Sequence, residues 1–284
     1  MNYRHAFHAG NHADVLKHLV LARVLAHLGL KDKPFRALDA FAGLRIYDLQ
    51  ADEARRTGEW QGGWGRLAAA FPEPVEALLA PYRAAVAATQ ERHGASSYPG
   101  SPAVIREFLR PGDRGVFVEL HPQDAAVLKE RYNSDSRTKV LHLDGWTAVN
   151  AQIPPPERRG LVLIDPPYEV PGEVGRLGAH LLRAVAKWPT GIFLAWYPIK
   201  DVAAIDRMAA DLDAGLGRPA LRLDLHIHRP DDPTRLSGSG LVVVNPPWPL
   251  AGEAAVFLPA LAERLAQGQY GGYRCDPLGH QTRD

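Results

Sequence analysis

The sequence predicts an α/β fold: a mostly parallel sheet with helices on both faces and one helical insertion. Three observations predict it. Leu161-Val162-Leu163-Ile164 is an unbroken aliphatic run, the pattern of a strand buried on both faces. Short apolar runs alternate with helical periodicity along most of the chain, as crossover connections require. Three of these runs end at or just before an acid, Glu119, Asp144 and Asp165, and open α/β sheets bind ligands beyond the carboxyl ends of their strands.

Composition sets the bounds. The 284 residues, 46% hydrophobic and 23% charged, suffice for one large α/β domain with an insertion. The single cysteine, Cys275, excludes an internal disulfide and a zinc site built on several thiolates, so a reducing cytoplasm is the expected setting. The most apolar helical run, 19–30, is broken by Arg23 and His27 and is too short to span a bilayer, and no export signal is read at the N-terminus. A net charge of +1 excludes a generally basic coat, so a nucleic-acid surface must be a local patch.

Residues 1–49 are expected to supply an N-terminal helix and the first strand. Asn11 is the expected N-cap, Val15, Leu19, Ala22 and Ala26 the inward stripe, and Gly29 the stop. The histidines before and within this helix have mixed spacings and no thiol companions, which argues against a metal; some are expected to be caps or solvated residues. The helix start, with Lys17 and His18, is expected to face an anionic group of cofactor or RNA. The strand at 34–39 ends in Asp39, and Gly43 lets the backbone approach a ligand in the turn beyond it.

From 50 to 110 the pattern turns helical, with a long amphipathic helix over 74–94; this is the expected insertion. Arg55, Arg56, Trp60, Trp64 and Arg66 mix cations with rings, a composition that suits either RNA contact or a solvated surface. Ser101, in Tyr98-Pro99-Gly100-Ser101-Pro102, is either a helix cap or a ligand contact. The sheet resumes at 114–120 and 138–143 within an expected stretch of 111–267. There Glu119 can accept from ribose hydroxyls and Asp144 from an adenine amine.

The central motif is Asp165-Pro166-Pro167-Tyr168. Proline fixes φ near about −65° and restricts its predecessor, so the Asp165 carboxylate and the Pro166 carbonyl are held outward at the strand end. Two acceptors suit an exocyclic amine whose lone pair is delocalised into an aromatic ring: each takes one N–H while Tyr168 stacks on the base. Beyond it come a helix over 173–188, a strand 191–197, a helix 202–216 and a strand pair, 221–228 and 241–244, read as an antiparallel edge hairpin. Asn245-Pro246-Pro247-Trp248 mimics the main motif but follows the expected cofactor elements, and is read as a rigid loop beside the cleft. Residues 268–284 are expected to be a loose tail.

Asp165-Pro166-Pro167-Tyr168 resembles the signature of S-adenosylmethionine-dependent enzymes that methylate adenine N6. The runs His8-Ala9-Gly10-Asn11-His12-Ala13-Asp14-Val15-Leu16-Lys17-His18, Tyr98 to Pro102, Glu119-Leu120-His121-Pro122, Asp144-Gly145 and Ala195-Trp196-Tyr197-Pro198 extend the likeness over nearly the whole chain. Together they resemble the bacterial RlmJ family, 23S rRNA (adenine(2030)-N6)-methyltransferases. The resemblance implies a class I Rossmann-like methyltransferase with a seven-stranded, mostly parallel sheet, S-adenosylmethionine as cofactor, and 23S rRNA, protein-free or in early assembly, as partner. It also implies that His18, Ser101, Glu119, Asp144 and Gly145 contact the cofactor, that Asp165 is catalytic with Pro166 and Tyr168 beside it, and that Tyr3 contacts RNA. Arg4 and Lys17 are counted on the RNA side; neither metal nor membrane is implied.

One segment departs. Asp39-Ala40-Phe41-Ala42-Gly43-Leu44-Arg45 has Phe41 where the family carries a cofactor-contacting histidine, a loss of about 1 kcal/mol on the scale of one hydrogen bond. Arg45 stands where a glycine is common and can either block the pocket or pair with a cofactor carboxylate. Two other readings stay open: a DNA adenine-N6 or protein amide methyltransferase, since the motif positions an amine without naming the polymer, and a catalytically silent RNA-binding protein.

Overall fold

A computed structural model describes residues 5–279. The chain runs through α1 (His12–Gly29), β1 (Arg36–Asp39), β2 (Ile46–Asp48), α2 (Asp52–Thr57), α3 (Glu59–Gly62), α4 (Glu73–His93), β3 (Ser97–Pro99) and α5 (Ser101–Phe108). It continues as β4 (Arg114–Glu119), α6 (Pro122–Tyr132), β5 (Thr138–His142), α7 (Gly145–Gln152), β6 (Gly160–Ile164), α8 (Glu173–Lys187) and β7 (Ile192–Ile199). It closes with α9 (Val202–Gly215), β8 (Ala220–His226), β9 (Gly238–Val244), α10 (Leu250–Leu265) and β10 (Gly272–Leu278).

Among the described residues the main sheet has eight strands in the order β10-β8-β9-β7-β6-β1-β4-β5. The five from β7 to β5 are parallel, and β9, β8 and β10 run antiparallel to their neighbours. Helices cover both faces. α7, α8 and α9 pack on the side of Val162, Ile164 and Phe193, and α1, α4, α5 and α10 on the side of Leu161, Leu163 and Leu194. The continuous aliphatic run of β6 follows from this, since both of its faces are covered.

Three expectations need correction. The sheet has eight strands, not seven, because the tail expected to be loose from Gly268 supplies β10, paired residue for residue with β8. As an edge strand with few buried side chains, it carries too weak an apolar alternation to be read from sequence. The insertion closes earlier than residue 110: α5 makes the crossover from β1 to β4, so the intervening segment ends with β3, which pairs with β2 in a separate ribbon. And α1 buries far more than one stripe: Leu16, Val20, Leu21, Val24 and Leu25 are inaccessible alongside Val15, Leu19 and Ala22, and only Ala26 of the expected stripe is half-exposed. A helix wrapped by α4, α5, α10 and the sheet has no solvent side to pattern.

Candidate active site

The register sets three strand ends side by side. Asp39 of β1 lies level with Phe117 of β4 and Leu163 of β6, so Glu119 and Asp165, each two residues further on, border the same opening. The opening is a cleft whose walls include Lys17, His18, Phe41, Gly43, Ser101, Glu119, Gly145 and Asp165.

Glu119 is almost fully buried, and each of its carboxylate oxygens accepts a backbone N–H, from Gly43 at 2.8 Å and from His121 at 2.7 Å. Its orientation is fixed, and its remaining lone pairs face the cleft. Gly43 has φ +59, where an L side chain is strained, and an added Cβ would sit 2.7 Å from the Tyr47 hydroxyl. Gly145 has no room for one either, because a Cβ would lie 2.3 Å from the Ala40 carbonyl. Asp144 does not itself line the cleft: its Oδ1 caps α7, accepting from the Thr147 N–H at 2.8 Å and hydroxyl at 2.9 Å. Ser101 is the first residue of α5 behind an uncapping Gly100, so the cap reading falls and its hydroxyl faces Asp39 in the cleft wall.

Lys17 is not presented to solvent. Its side chain is 5% exposed, and its ammonium pairs with Asp14 at 2.9 Å and with Asp165 at 2.5 Å. Burial works against that charge, but the two carboxylates outweigh it and hold Lys17 well above its ordinary value. Asp14, equally buried, is held well below the carboxylate range by His5 and Lys17. The start of α1 therefore closes on its own side chains: Asn11 accepts from the N–H groups of Ala13 and Asp14, and Asp14 accepts from Gly10. His18 does face the cleft. Burial pushes its pKa down to about 3, so the ring is neutral, and its buried Nε2 has no hydrogen-bond partner among the described residues.

Tyr168 has φ +53, and its ring meets Trp196 edge-on at 5.5 Å while its hydroxyl donates to the Trp196 carbonyl at 2.5 Å. These contacts hold a strained backbone beside Asp165. Neither Pro166 nor Tyr168 lines the cleft directly; both stand behind Asp165 and Pro167, which do. Phe41 packs edge-on against Trp146 at 5.1 Å. Arg45 turns away: its guanidinium lies over the Tyr132 ring at 5.0 Å, so it neither plugs the cleft nor reaches a ligand there.

Tyr3 and Arg4 lie outside the described residues. Of the mixed cations and rings in the insertion, Trp60 and Trp64 pack on the main core and Arg66 donates to the carbonyls of Arg264 and Ala266; Arg55 and Arg56 stay exposed. The Asn245 motif is not beside the cleft. β9 runs antiparallel to β7, with Val244 level with Phe193, so Asn245 emerges at the opposite end of the sheet, where its amide donates to the carbonyls of Pro189 and Gly191. Asp39, read from sequence only as a strand end, is a fully buried carboxyl between Ser101 and Phe41 whose pKa burial raises to about 7. His5, 2.9 Å from Asp14, also escaped sequence reading, as did the tyrosines behind His18, where Tyr98 lies 80 positions along the chain. No helix is long and apolar enough to cross a membrane, and no cluster of three or more histidine, cysteine or acidic residues fit for a metal occurs among the described residues.

A parallel sheet extended by antiparallel edge strands, with acids grouped at the carboxyl ends of β4, β5 and β6, is the arrangement of a class I methyltransferase. Residues 32–278 match the family model described as "Ribosomal RNA large subunit methyltransferase D, RlmJ". The protein named Ribosomal RNA large subunit methyltransferase J is 39% identical over 267 residues in Escherichia coli and 37% identical over 267 residues in Haemophilus influenzae, each alignment spanning 93% of this chain and 94% of the relative. The crystal structure of protein LPL1258 from Legionella pneumophila superposes with a TM-score of 0.84 at 32% identity, covering 95% of this chain and 98% of that one. The chain belongs to the RlmJ family.

Proposed function

We propose that this chain transfers a methyl group from S-adenosylmethionine to N6 of an adenine in 23S rRNA, at adenine 2030, on RNA that is protein-free or in early assembly. The observation that carries the reading is the Asp165 carboxylate, held at the end of β6 by Lys17, on a cleft shared with Glu119 and His18. The residues present fit the cofactor. Gly43 and Gly145 leave cradles that a Cβ would fill, and His18 offers an unpartnered buried nitrogen. Glu119 would accept from the two ribose hydroxyls, Gly145 and the free oxygen of Asp144 would border the adenine, and His18 and Ser101 would meet the amino-acid end.

When bound, the cofactor supplies an electrophilic methyl group. The chain's own residues do the rest. Lys17 occupies Oδ2 of Asp165 and fixes its rotation, leaving Oδ1 to accept one N–H of the adenine amine while the Pro166 carbonyl accepts the other. The amine lone pair is thereby aimed at the methyl donor, and as nitrogen becomes cationic its proton passes to Asp165. Tyr168, anchored through Trp196, backs the base once it is drawn out of the RNA stack. The names of the relatives support the substrate class. The test is transfer of tritiated methyl groups to protein-free 23S RNA lacking the modification, with the modified nucleotide mapped and deoxy-oligonucleotides as competitors. Methyl acceptance by DNA in preference to RNA, or by a nucleotide other than adenine, overturns it.

A further inference from the structure

Behind His18 stands a closed chain of hydroxyls. Tyr82 of α4 and Tyr98 of β3 meet oxygen to oxygen at 2.8 Å, and the Tyr98 hydroxyl lies 3.1 Å from His18 Nδ1. The three rings are buried together, with Tyr98 stacked on His18 at 5.7 Å. Burial raises the Tyr82 pKa beyond the physiological range and Tyr98 well above its ordinary value, and lowers His18 to about 3. Two neutral phenols and one neutral imidazole hold three protons between them, and their two hydrogen bonds use two.

The direction of those bonds follows from what would be left over. If His18 Nδ1 donated to Tyr98, one of the two phenol O–H groups, Tyr98 or Tyr82, would be left in the core with no acceptor among the described residues. An unsatisfied buried donor is costly. If instead Tyr82 donates to Tyr98 and Tyr98 donates to Nδ1, both phenol protons are used, and the third sits on His18 Nε2, a buried nitrogen with no partner among the described residues and so left for a ligand. The geometry around Nε2 favours the same choice, because the Asp14 carboxylate lies 3.9 Å from it.

We propose that Tyr98, backed by Tyr82, is a positioning residue that locks His18 in its Nε2–H tautomer and makes it an obligate hydrogen-bond donor toward an anionic group in the cleft. Under the methyltransferase reading, on which this rests, that group is the cofactor carboxylate. The insertion thus shapes the cofactor site without touching the cofactor, by fixing a proton on a residue of α1.

The experiment uses full-length, cofactor-free protein labelled with nitrogen-15 in histidine, with His18→Gln to assign the His18 signals among the 12 histidines. The parent shows an unprotonated Nδ1 and a protonated Nε2. Tyr98→Phe, which keeps the ring but not the donor, shows a mixture of tautomers and binds S-adenosylhomocysteine about tenfold more weakly, with a melting profile that confirms folding. Tyr82→Phe leaves Tyr98 as donor, so it keeps the parent tautomer and weakens binding less than Tyr98→Phe does. A protonated Nδ1 in the parent overturns the proposal, as does a Tyr98→Phe variant whose tautomer and affinity both match the parent. Failure of the parent to bind S-adenosylhomocysteine removes the cofactor reading instead, while the tautomer is decided by its own spectrum.

Discussion

Lys17 and Asp165, 148 positions apart in the chain, meet at 2.5 Å in the floor of the cleft, and the same ammonium reaches Asp14 at 2.9 Å. One cation thus serves two carboxylates, a buried one that anchors it and a half-exposed one that it aims. Lys17→Met leaves the buried Asp14 carboxylate without its ammonium partner, and breaking such a pair costs about 3 kcal/mol. The expected outcome is that loss in denaturant unfolding, together with methyl transfer reduced at least about a hundredfold as the amine loses its oriented acceptor. Full activity in a variant that folds normally would remove Lys17 from the mechanism.

Three buried groups shape how stability changes toward acid, two lowering it and one raising it. His12 and His18 have pKa values lowered to about 4 and about 3, burial being the first cause in each, while burial raises Asp39 to about 7. Below the ordinary histidine value of 6.5 the unfolded chain takes up two protons that the folded chain refuses, so stability falls as pH falls. Asp39 acts oppositely: the folded chain keeps a proton that the unfolded chain releases above 3.8, which favours the fold toward acid. Two against one leaves a slope of about 1 kcal/mol per pH unit between roughly pH 6 and 5. Urea midpoints at those two values should show it from these groups, and His18→Gln should flatten it.

Gly145 begins α7 against the Ala40 carbonyl, with the Phe41 ring 2.7 Å from where a Cβ would be. Neither backbone nor a packed ring yields cheaply, so Gly145→Ala must push the loop after β1 and the start of α7 apart. The expected cost is about 2 kcal/mol of stability, with S-adenosylhomocysteine binding lost in calorimetric titration. Unchanged affinity would show that the cleft tolerates the shift and that Gly145 is no part of its fit.

Trp248 is 88% exposed at the end of the sheet remote from Asp165, in the motif that mimics the Asp165 one. Trp248→Ala is expected to leave methyl transfer within about twofold and stability within about 0.5 kcal/mol of the parent, as a surface change should. Asp165→Ala is expected to abolish transfer while sparing cofactor binding. A large loss in the first variant would return the second motif to the functional account.

That contrast shows what a sequence discloses. β6 and its acid were legible because a strand covered on both faces is written as a solid aliphatic run, and prolines marked its end. The role of the Asn245 motif was not, because its composition is blind to strand direction: the same residues after an antiparallel strand land at the wrong end of the sheet. The partners of Lys17 were not legible for a related reason. A cation near a helix start suggests an anion outside, and only the fold brings Asp165 across to meet it. The hydroxyls of Tyr82 and Tyr98 belong to the same class, visible as apolar rings in the pattern but joined to His18 by tertiary packing alone.

Phe41 stands in the cleft wall at the position where the resemblance leads one to expect a histidine. Its ring rests edge-on against Trp146 and closes over Gly145, so it contributes packing but no hydrogen bond toward a ligand. Phe41→His is nearly conservative in shape and restores a polar edge. If the cleft is otherwise competent, the regained hydrogen bond is expected to tighten S-adenosylhomocysteine binding about fivefold, the equivalent of about 1 kcal/mol. The lost aromatic packing should cost a similar amount in unfolding free energy. The two effects have opposite signs and separate readouts, titration for the first and denaturant unfolding for the second. Unaltered affinity would mean that Phe41 faces Trp146 rather than the ligand and that the family's histidine contact has been replaced here by packing alone.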